Sequence, residues 1–506
     1  MNPLVSIVRN WSLLACAQVA SSAIALVFMV FISRRLGDVE FGRLFLALTL
    51  TTLVGVAVDL GLSQVMIRAI AREHGLARPY LRRAALVVAA AGTSLYLLLL
   101  GAIKVLGFTA EVQSLVGILG LLMIAEGFSQ ILGAVFQAHE RMLIPALTRL
   151  AGNAFSLVVV VPLIQLGQGA TAVASVLVLA AALRVLFQLI QLRRLDGLRM
   201  SGQPAPAVDV LLRGGLPFLA AQTLGLFVAK VDVPILGRLS GEAAVGWYAA
   251  SSRLMEASNF VPVVLLIAMF PVLSRLWVQS PSEFQITVRK TLHFLLILTV
   301  PVTVTLFVLS QEVIGFFFTL RSYAPAVPIL RVQAFSIGLI FVDYLLTCVL
   351  MAAGRERVWL AIVGAACVLN PALNFVLIPA FDLSSANGAI GAAIATLITE
   401  VFILVCALRA MPSGILGLES ARVALRAAAL GIGFAAVLFA GRTVGIPWIV
   451  ALAVGGAMYL AAAQGFGLLP AELTAWVRGV VSRRAVASSA DGEDAGAKLP
   501  REVDAA

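Results

Sequence analysis

RRLGDVEFGRLFLA, Arg34 to Ala47, decides the fold, because its outline returns in RLSGEAAVGWYAA, Arg238 to Ala250. In the first copy, an apolar segment that contains Ala17-Gln18 ends at Arg35-Leu36-Gly37-Asp38, and Gly42 opens the next apolar segment. In the second copy, the segment that begins at Ala221-Gln222 ends at Arg238-Leu239-Ser240-Gly241-Glu242, and Gly246 opens the next. Gln18 to Gly42 and Gln222 to Gly246 both run 24 positions (42 − 18 and 246 − 222), so the copies are in register at an offset of 222 − 18 = 204. Such a repeat, half the length of the apolar part of the chain, is the signature of an internal duplication.

Of the 506 residues, 61% are hydrophobic and 12% charged, which leaves too little polar surface to cover a water-soluble globule. The apolar runs are uninterrupted and about 20 residues long, as membrane-crossing helices require, unlike the alternating ten-residue runs of a barrel. A backbone in lipid must satisfy its own hydrogen bonds, so the expected fold is all-α and polytopic. Trp11 to Ile32 is too long for a signal-peptide core and has no small-residue cleavage site, so it is expected to stay as the first span. The net charge of +11 sits at the edges of apolar runs, where it orients spans; nucleic acid is not an expected partner. Cys16, Cys348, Cys367 and Cys406 lie inside apolar segments without ligand-like spacing and are expected as free thiols.

The runs predict about 14 transmembrane helices: two parallel six-helix repeats plus two extra C-terminal helices. The expected domains are an N-terminal bundle over 1–195, a cytoplasmic linker over 196–213 and a C-terminal bundle over 214–410. Helices 13 and 14 follow in 411–470, then a largely disordered cytoplasmic tail over 471–506. Six spans, an even number, separate the two copies, so both start from the same side and the bundles face each other about an axis along the membrane normal. Arg68, Arg72, Arg78, Arg82 and Arg83 put that side, and both termini, in the cytoplasm, with the Arg34 to Glu40 loop outside. A second echo agrees: Glu140-Arg141 and Glu356-Arg357 each precede a span with an internal asparagine, Asn153 and Asn370.

No P-loop, HExxH or paired CxxC occurs, and the segments outside the spans are too short for a catalytic domain. No enzymatic activity, cofactor or metal site is expected. His74, His139 and His293 fall at membrane edges, where surface placement is the simpler reading. Charges within spans are more informative, since each costs at least about 2.5 kcal/mol to place in lipid and therefore faces a cavity or a partner. Lys230 and Arg253 lie 12 and 11 positions either side of Glu242 (242 − 230 and 253 − 242), at matching depth on neighbouring helices. They are the expected substrate-binding cations of a wet, cationic cavity in the second bundle. The competing reading is packing, with Arg253 on Glu256 one turn on and Lys230 on Asp232 or another helix. Glu126 lies 14 positions before Glu140, and Asp343 13 before Glu356, so the two carboxylates hold equivalent places. With Asp232 they are the ion-coupling candidates, the alternative being hydrogen bonds to neighbouring helices. Asn153, Asn259, Asn370 and Asn374 read as interhelical hydrogen bonds, and Pro162, Pro234, Pro262, Pro301, Pro371 and Pro379 as kinks.

Taken together, Ala17-Gln18, the run from Arg34 to Ala47, DLGLSQVMIRAIARE from Asp59 to Glu73 and the second copy resemble the O-antigen type of polysaccharide flippase. That family belongs to the multidrug/oligosaccharidyl-lipid/polysaccharide exporter superfamily, and the resemblance covers spans 1 to 12. It implies a bacterial inner-membrane flippase that moves undecaprenyl-pyrophosphate-linked oligosaccharide to the outer leaflet by alternating access of two six-helix bundles. Its expected partners are lipid-linked oligosaccharide, membrane lipid, and glycan polymerases or glycosyltransferases. The family's cationic lumen is matched by Lys230 and Arg253 through position in the second bundle. An ion-coupled exporter of drugs or small molecules with the same fold is the alternative, and would favour a cavity dominated by carboxylates.

Overall fold

The computed structural model describes residues 3–194, 207–412, 414–415 and 417–468, and all regular structure among them is helical. The first half comprises α1 (Pro3–Gly55), α2 (Leu62–Arg72), α3 (Ala77–Val105), α4 (Ala110–Ala138), α5 (Leu143–Gln165) and α6 (Ala170–Leu192). In the second half, α7 (Val208–Lys230), α8 (Asp232–Leu239), α9 (Glu242–Ser258) and α10 (Phe260–Gln279) lead into α11 (Pro281–Val308), α12 (Ser310–Phe317) and α13 (Leu320–Tyr323). It ends with α14 (Ala326–Ala352), α15 (Glu356–Ser385) and α16 (Gly388–Ala410), and α17 (Leu418–Thr443) then packs on α11 and pairs with α18 (Trp448–Gly465). Residues 196–206 of the expected linker lie outside the described residues, 208–213 already belong to α7, and the expected tail at 471–506 is likewise outside. Cys348, Cys367 and Cys406 are free thiols.

Thirteen segments among the described residues are long and apolar enough to cross a membrane, and the first of these, Val19–Gly55, holds two spans. Its 37 residues would measure about 56 Å if straight, nearly twice the hydrocarbon thickness of a bilayer. The helix breaks at Gly37, with φ 79° and ψ −179°. This backbone region is open almost only to glycine. Gly241, 204 positions on, takes φ 85° and ψ −177° ahead of α9. The repeat read from the sequence is therefore a repeat of backbone conformation.

The two copies meet each other. A Cβ on Gly42 would overlap the carbonyl of Glu242, and a Cβ on Gly246 would overlap the carbonyl of Asp38. Since 38 + 204 = 242 and 42 + 204 = 246, each contact is the image of the other about a local two-fold axis. Small residues let α1 and α9 approach backbone to backbone, as helix pairs in membranes commonly do. The side chains repeat the symmetry. Arg43 Nε donates to Glu242 at 2.5 Å, while Trp247 Nε1, its image at 43 + 204, donates to Asp38 at 2.8 Å. Arg34 Nε donates to the Phe317 carbonyl at 2.7 Å, and its image Arg238 donates to the Leu106 carbonyl at 2.9 Å, each across to the other half. Tyr323 closes the same end by donating to the Ser33 carbonyl at 3.0 Å. Burial first, and the Asp38 charge second, push its phenol well above the ordinary value, so it stays a donor. At the opposite end the halves touch again, where a Cβ on Gly61 would overlap the Gly215 carbonyl.

Two prolines interrupt the second half near mid-span. Pro234 has no N–H for the Lys230 carbonyl, and the helix divides at Val231 into α7 and α8. Pro262 likewise has no N–H for the Ser258 carbonyl, and α9 gives way to α10 at Asn259. Both breaks fall beside charged residues, Lys230 and Asp232 at the first and Glu256 at the second. Broken helices of this kind line cavities in membrane proteins, where the freed backbone groups find partners.

Candidate functional site

Lys230 and Arg253 are brought together as their depth predicted. Both bond the carboxylate of Glu256, Arg253 at 2.7 Å, and both lie over the ring of Phe45 on α1, at 5.8 and 5.0 Å from its centroid. The cations therefore sit where the two halves face each other, on a shared carboxylate and a shared aromatic face. Both cations take partners that the packing reading allowed: Arg253 bonds Glu256 one turn on, and Lys230 of α7 bonds the same carboxylate on another helix, α9.

The cavity beside them has a volume of about 310 Å³. Its wall carries Asp232, Glu256, Asp343 and Glu400 against Lys230. The cationic cavity expected in the second bundle is thus corrected to an acidic one, because α14 and α16 bring in Asp343 and Glu400, 90 and 147 positions beyond Arg253 (343 − 253 and 400 − 253). Asp232 is 3% exposed; its carboxylate accepts from the Val233 N–H at 2.9 Å and from the Tyr248 hydroxyl. Asp343 of α14 and Glu400 of α16 line the same cavity wall, where both Asp343 carboxyl oxygens are buried without a hydrogen-bond partner among the described residues and Lys230 is the one basic residue lining the wall. Two adjacent carboxyls facing a membrane cavity can hold a proton or a small metal cation between them. Asn370 and Asn374, by contrast, are interhelical or intrahelical hydrogen-bond donors buried behind the cavity, to Thr399 and Asn370 respectively.

Glu126 occupies a different environment. It accepts from Arg184 of α6 and opens into a larger cavity of about 770 Å³, bounded by α2, α4, α5 and α6 of the first half and by Gln222 of α7. The wall of this cavity carries Arg149 and Arg184 against the single carboxylate of Glu126. It also carries five side-chain amides, from Gln64, Gln130, Gln137, Gln188 and Gln222. The Arg184 Nε is buried without a hydrogen-bond partner among the described residues. The equivalence read between Glu126 and Asp343 therefore holds for chain position, while one pairs with a guanidinium and the other shares a cavity wall with a second carboxyl. Arg149 and the glutamines were not read as site residues in the sequence, since amides spread over four helices form no motif; the usable signal was an Arg184 and a Glu126 of opposite sign within spans.

With this geometry in hand, comparison with known proteins fixes the family. The family model for polysaccharide biosynthesis proteins matches residues 7–277, more than half of the chain, and the MatE family model matches residues 217–376. A search of curated proteins by sequence finds no match. Among solved structures, the lipid II flippase MurJ in an inward closed conformation is similar, with a TM-score of 0.71 and 15% identity over 90% of this chain and 98% of its own. An inward-facing multidrug resistance transporter of the MATE family gives 0.65 and 15% over 81% and 95%. A transporter of the same superfamily from Pyrococcus furiosus, described for the reversed polarity of its binding pocket, gives 0.56 and 14% over 80% and 95%. These likenesses show the fold, and the matched family model shows the branch. The chain is a multi-pass membrane protein of the polysaccharide biosynthesis protein family, and it has the fold of the transporters and flippases to which it is similar.

Proposed function

We propose that this protein flips an oligosaccharide linked to undecaprenyl pyrophosphate from the cytoplasmic to the outer leaflet of a bacterial inner membrane. The observation that carries the reading is the cavity of the first half. Sugar hydroxyls need side chains that both donate and accept hydrogen bonds, and five glutamine amides supply them. A pyrophosphate needs guanidinium groups in a poorly solvated space, and Arg149 and Arg184 exceed the one carboxylate there.

In this reading the Gly37 end faces outward, both termini are cytoplasmic, and the bundles at 1–195 and 214–410 rock about the seam between α1 and α9. Opening outward requires the reciprocal bonds of Arg43 and Trp247 to break. Lys230 and Arg253 are the second set of substrate-binding cations: a phosphate arriving between the halves exchanges with Glu256 and frees it. Asp343, together with Glu400 and Asp232, takes the coupling cation, and Glu126 acts through its bond to Arg184. Glycosyltransferases would supply the substrate and a polymerase would consume it.

The test is reconstitution in vesicles with two cargoes, a fluorescent undecaprenyl-pyrophosphate oligosaccharide and an organic cation. Leaflet exchange of the first without movement of the second is expected. Movement of the organic cation alone would overturn the reading and favour an ion-coupled exporter of drugs or small molecules.

A further inference from the structure

The seam between α5 and α6 separates two unlike spaces. On its inner side lies the polar cavity described above. On its outer side lies an apolar groove of about 620 Å³, lined by Leu147, Phe155, Leu183, Phe187 and Ile190. Several of these point away from the protein: Leu147 is 53% and Phe187 48% exposed, as expected of side chains facing acyl chains. Arg184 lines both spaces. One bond of its guanidinium goes to Glu126 in the cavity, and its Nε is buried with no partner. Among the described residues, one side-chain hydrogen bond joins α5 to α6 beside it, from Gln188 Nε2 to Thr148 Oγ1 at 3.2 Å.

An arginine with an unused buried donor, set between an apolar groove and a polar cavity, suits a molecule that is apolar at one end and anionic at the other. A free anion has no use for the groove, and an acyl chain has none for the guanidinium. We propose that the α5–α6 seam is a lateral portal for a polyprenyl phosphate: the prenyl chain lies in the groove, the phosphate exchanges with Glu126 on Arg184, and the head group passes into the cavity. The groove is formed by the first half of α5 and the second half of α6, so in the proposed orientation it opens to the cytoplasmic leaflet, where a lipid-linked substrate is made. This inference rests on the flippase reading and adds a route to it.

The seam lies within one half. Rocking of two rigid halves leaves the distance between Gly152 and Ala180 unchanged, so fixing that distance should not stop the rocking; a Cβ on Gly152 of α5 would lie 3.9 Å from the Ala180 carbonyl of α6. Gly152→Cys and Ala180→Cys are introduced after Cys16, Cys348, Cys367 and Cys406 are replaced by alanine, and the pair is joined in the folded, reconstituted protein by a short reducible thiol crosslinker. Flipping of the fluorescent lipid-linked oligosaccharide is expected to fall to the level of protein-free vesicles on crosslinking and to return on reduction. Undiminished flipping by the crosslinked protein would overturn the portal and leave the flippase reading intact, whereas absence of flipping before crosslinking strikes the flippase reading itself. As a second measurement, a photoreactive undecaprenyl phosphate should label α5 and α6, with labelling reduced about tenfold in Arg184→Gln through loss of a charged hydrogen bond. Equal labelling in Arg184→Gln would also contradict the proposal.

Discussion

The Gly37 end of the molecule is nearly symmetric, and the cavities in the membrane are not. At the Gly37 end, Gly37 and Gly241 share a backbone conformation, Gly42 and Gly246 lie against each other's halves, and Arg43 and Trp247 each donate to the acidic residue of the other copy, Glu242 and Asp38. Deeper in, the first half presents two arginines and four amides around one carboxylate, with Gln222 of the second half adding a fifth amide, and the second presents four carboxylates around Lys230. The difference separates two demands. Closing a seam between two repeats needs the same shape from both, so each copy keeps its glycines. In the proposed function, a charged cargo and a coupling cation need opposite charges in the two halves, and the cavity residues differ accordingly.

The largest effect should come from filling the seam. Gly42→Leu and Gly246→Leu each force α1 and α9 apart at a cost of about 3 kcal/mol, and each should lower flipping about a hundredfold at matched protein levels. Because the contacts are images of one another, the two substitutions should match; a large loss in one alone would break the symmetry argument. Next come the cations at Phe45. Lys230→Ala and Arg253→Ala should each reduce glycan display about tenfold in a strain lacking its own flippase, with abundance measured by blot. Arg253→Lys should recover part, since an ammonium keeps the charge but not the two-pronged grip on phosphate. Normal display in the double alanine variant would remove these residues from the substrate path. The smallest effect belongs to the reciprocal hydrogen bonds. Arg43→Gln and Trp247→Phe should each weaken the seam by about 1 kcal/mol and raise thiol labelling of Ala244→Cys, buried at the seam, about fivefold. A change in labelling from only one of them would show that the two bonds are not equivalent.

The symmetric part of the molecule was legible in the sequence and the asymmetric part was not, for a physical reason. Gly37 and Gly241 occupy a conformation that other residues avoid, and Gly42 and Gly246 occupy a contact with no room for a side chain, so identity and spacing survive in both copies. Lys230 and Arg253 were found because a short turn fixes their depth. The sign of the surrounding cavity was misread, since Asp343 and Glu400 reach it from α14 and α16. Nothing along the chain marks which face of those helices turns inward. The glutamine-lined cavity was missed for the same reason, compounded by the absence of charge on the amides.

The central claim is that cargo binds in the first-half cavity and the coupling cation in the second. The most direct test is lipid-linked oligosaccharide flipping in reconstituted vesicles, measured with and without an imposed proton or sodium gradient, for two double variants. Arg149→Gln with Arg184→Gln should lose flipping under every gradient and lose photolabelling by the substrate. Asp343→Asn with Glu400→Gln should keep photolabelling and flip at one slow rate that no longer responds to the gradient. Retained gradient response in the carboxyl pair, or full substrate labelling in the arginine pair, would contradict the division of labour between the halves.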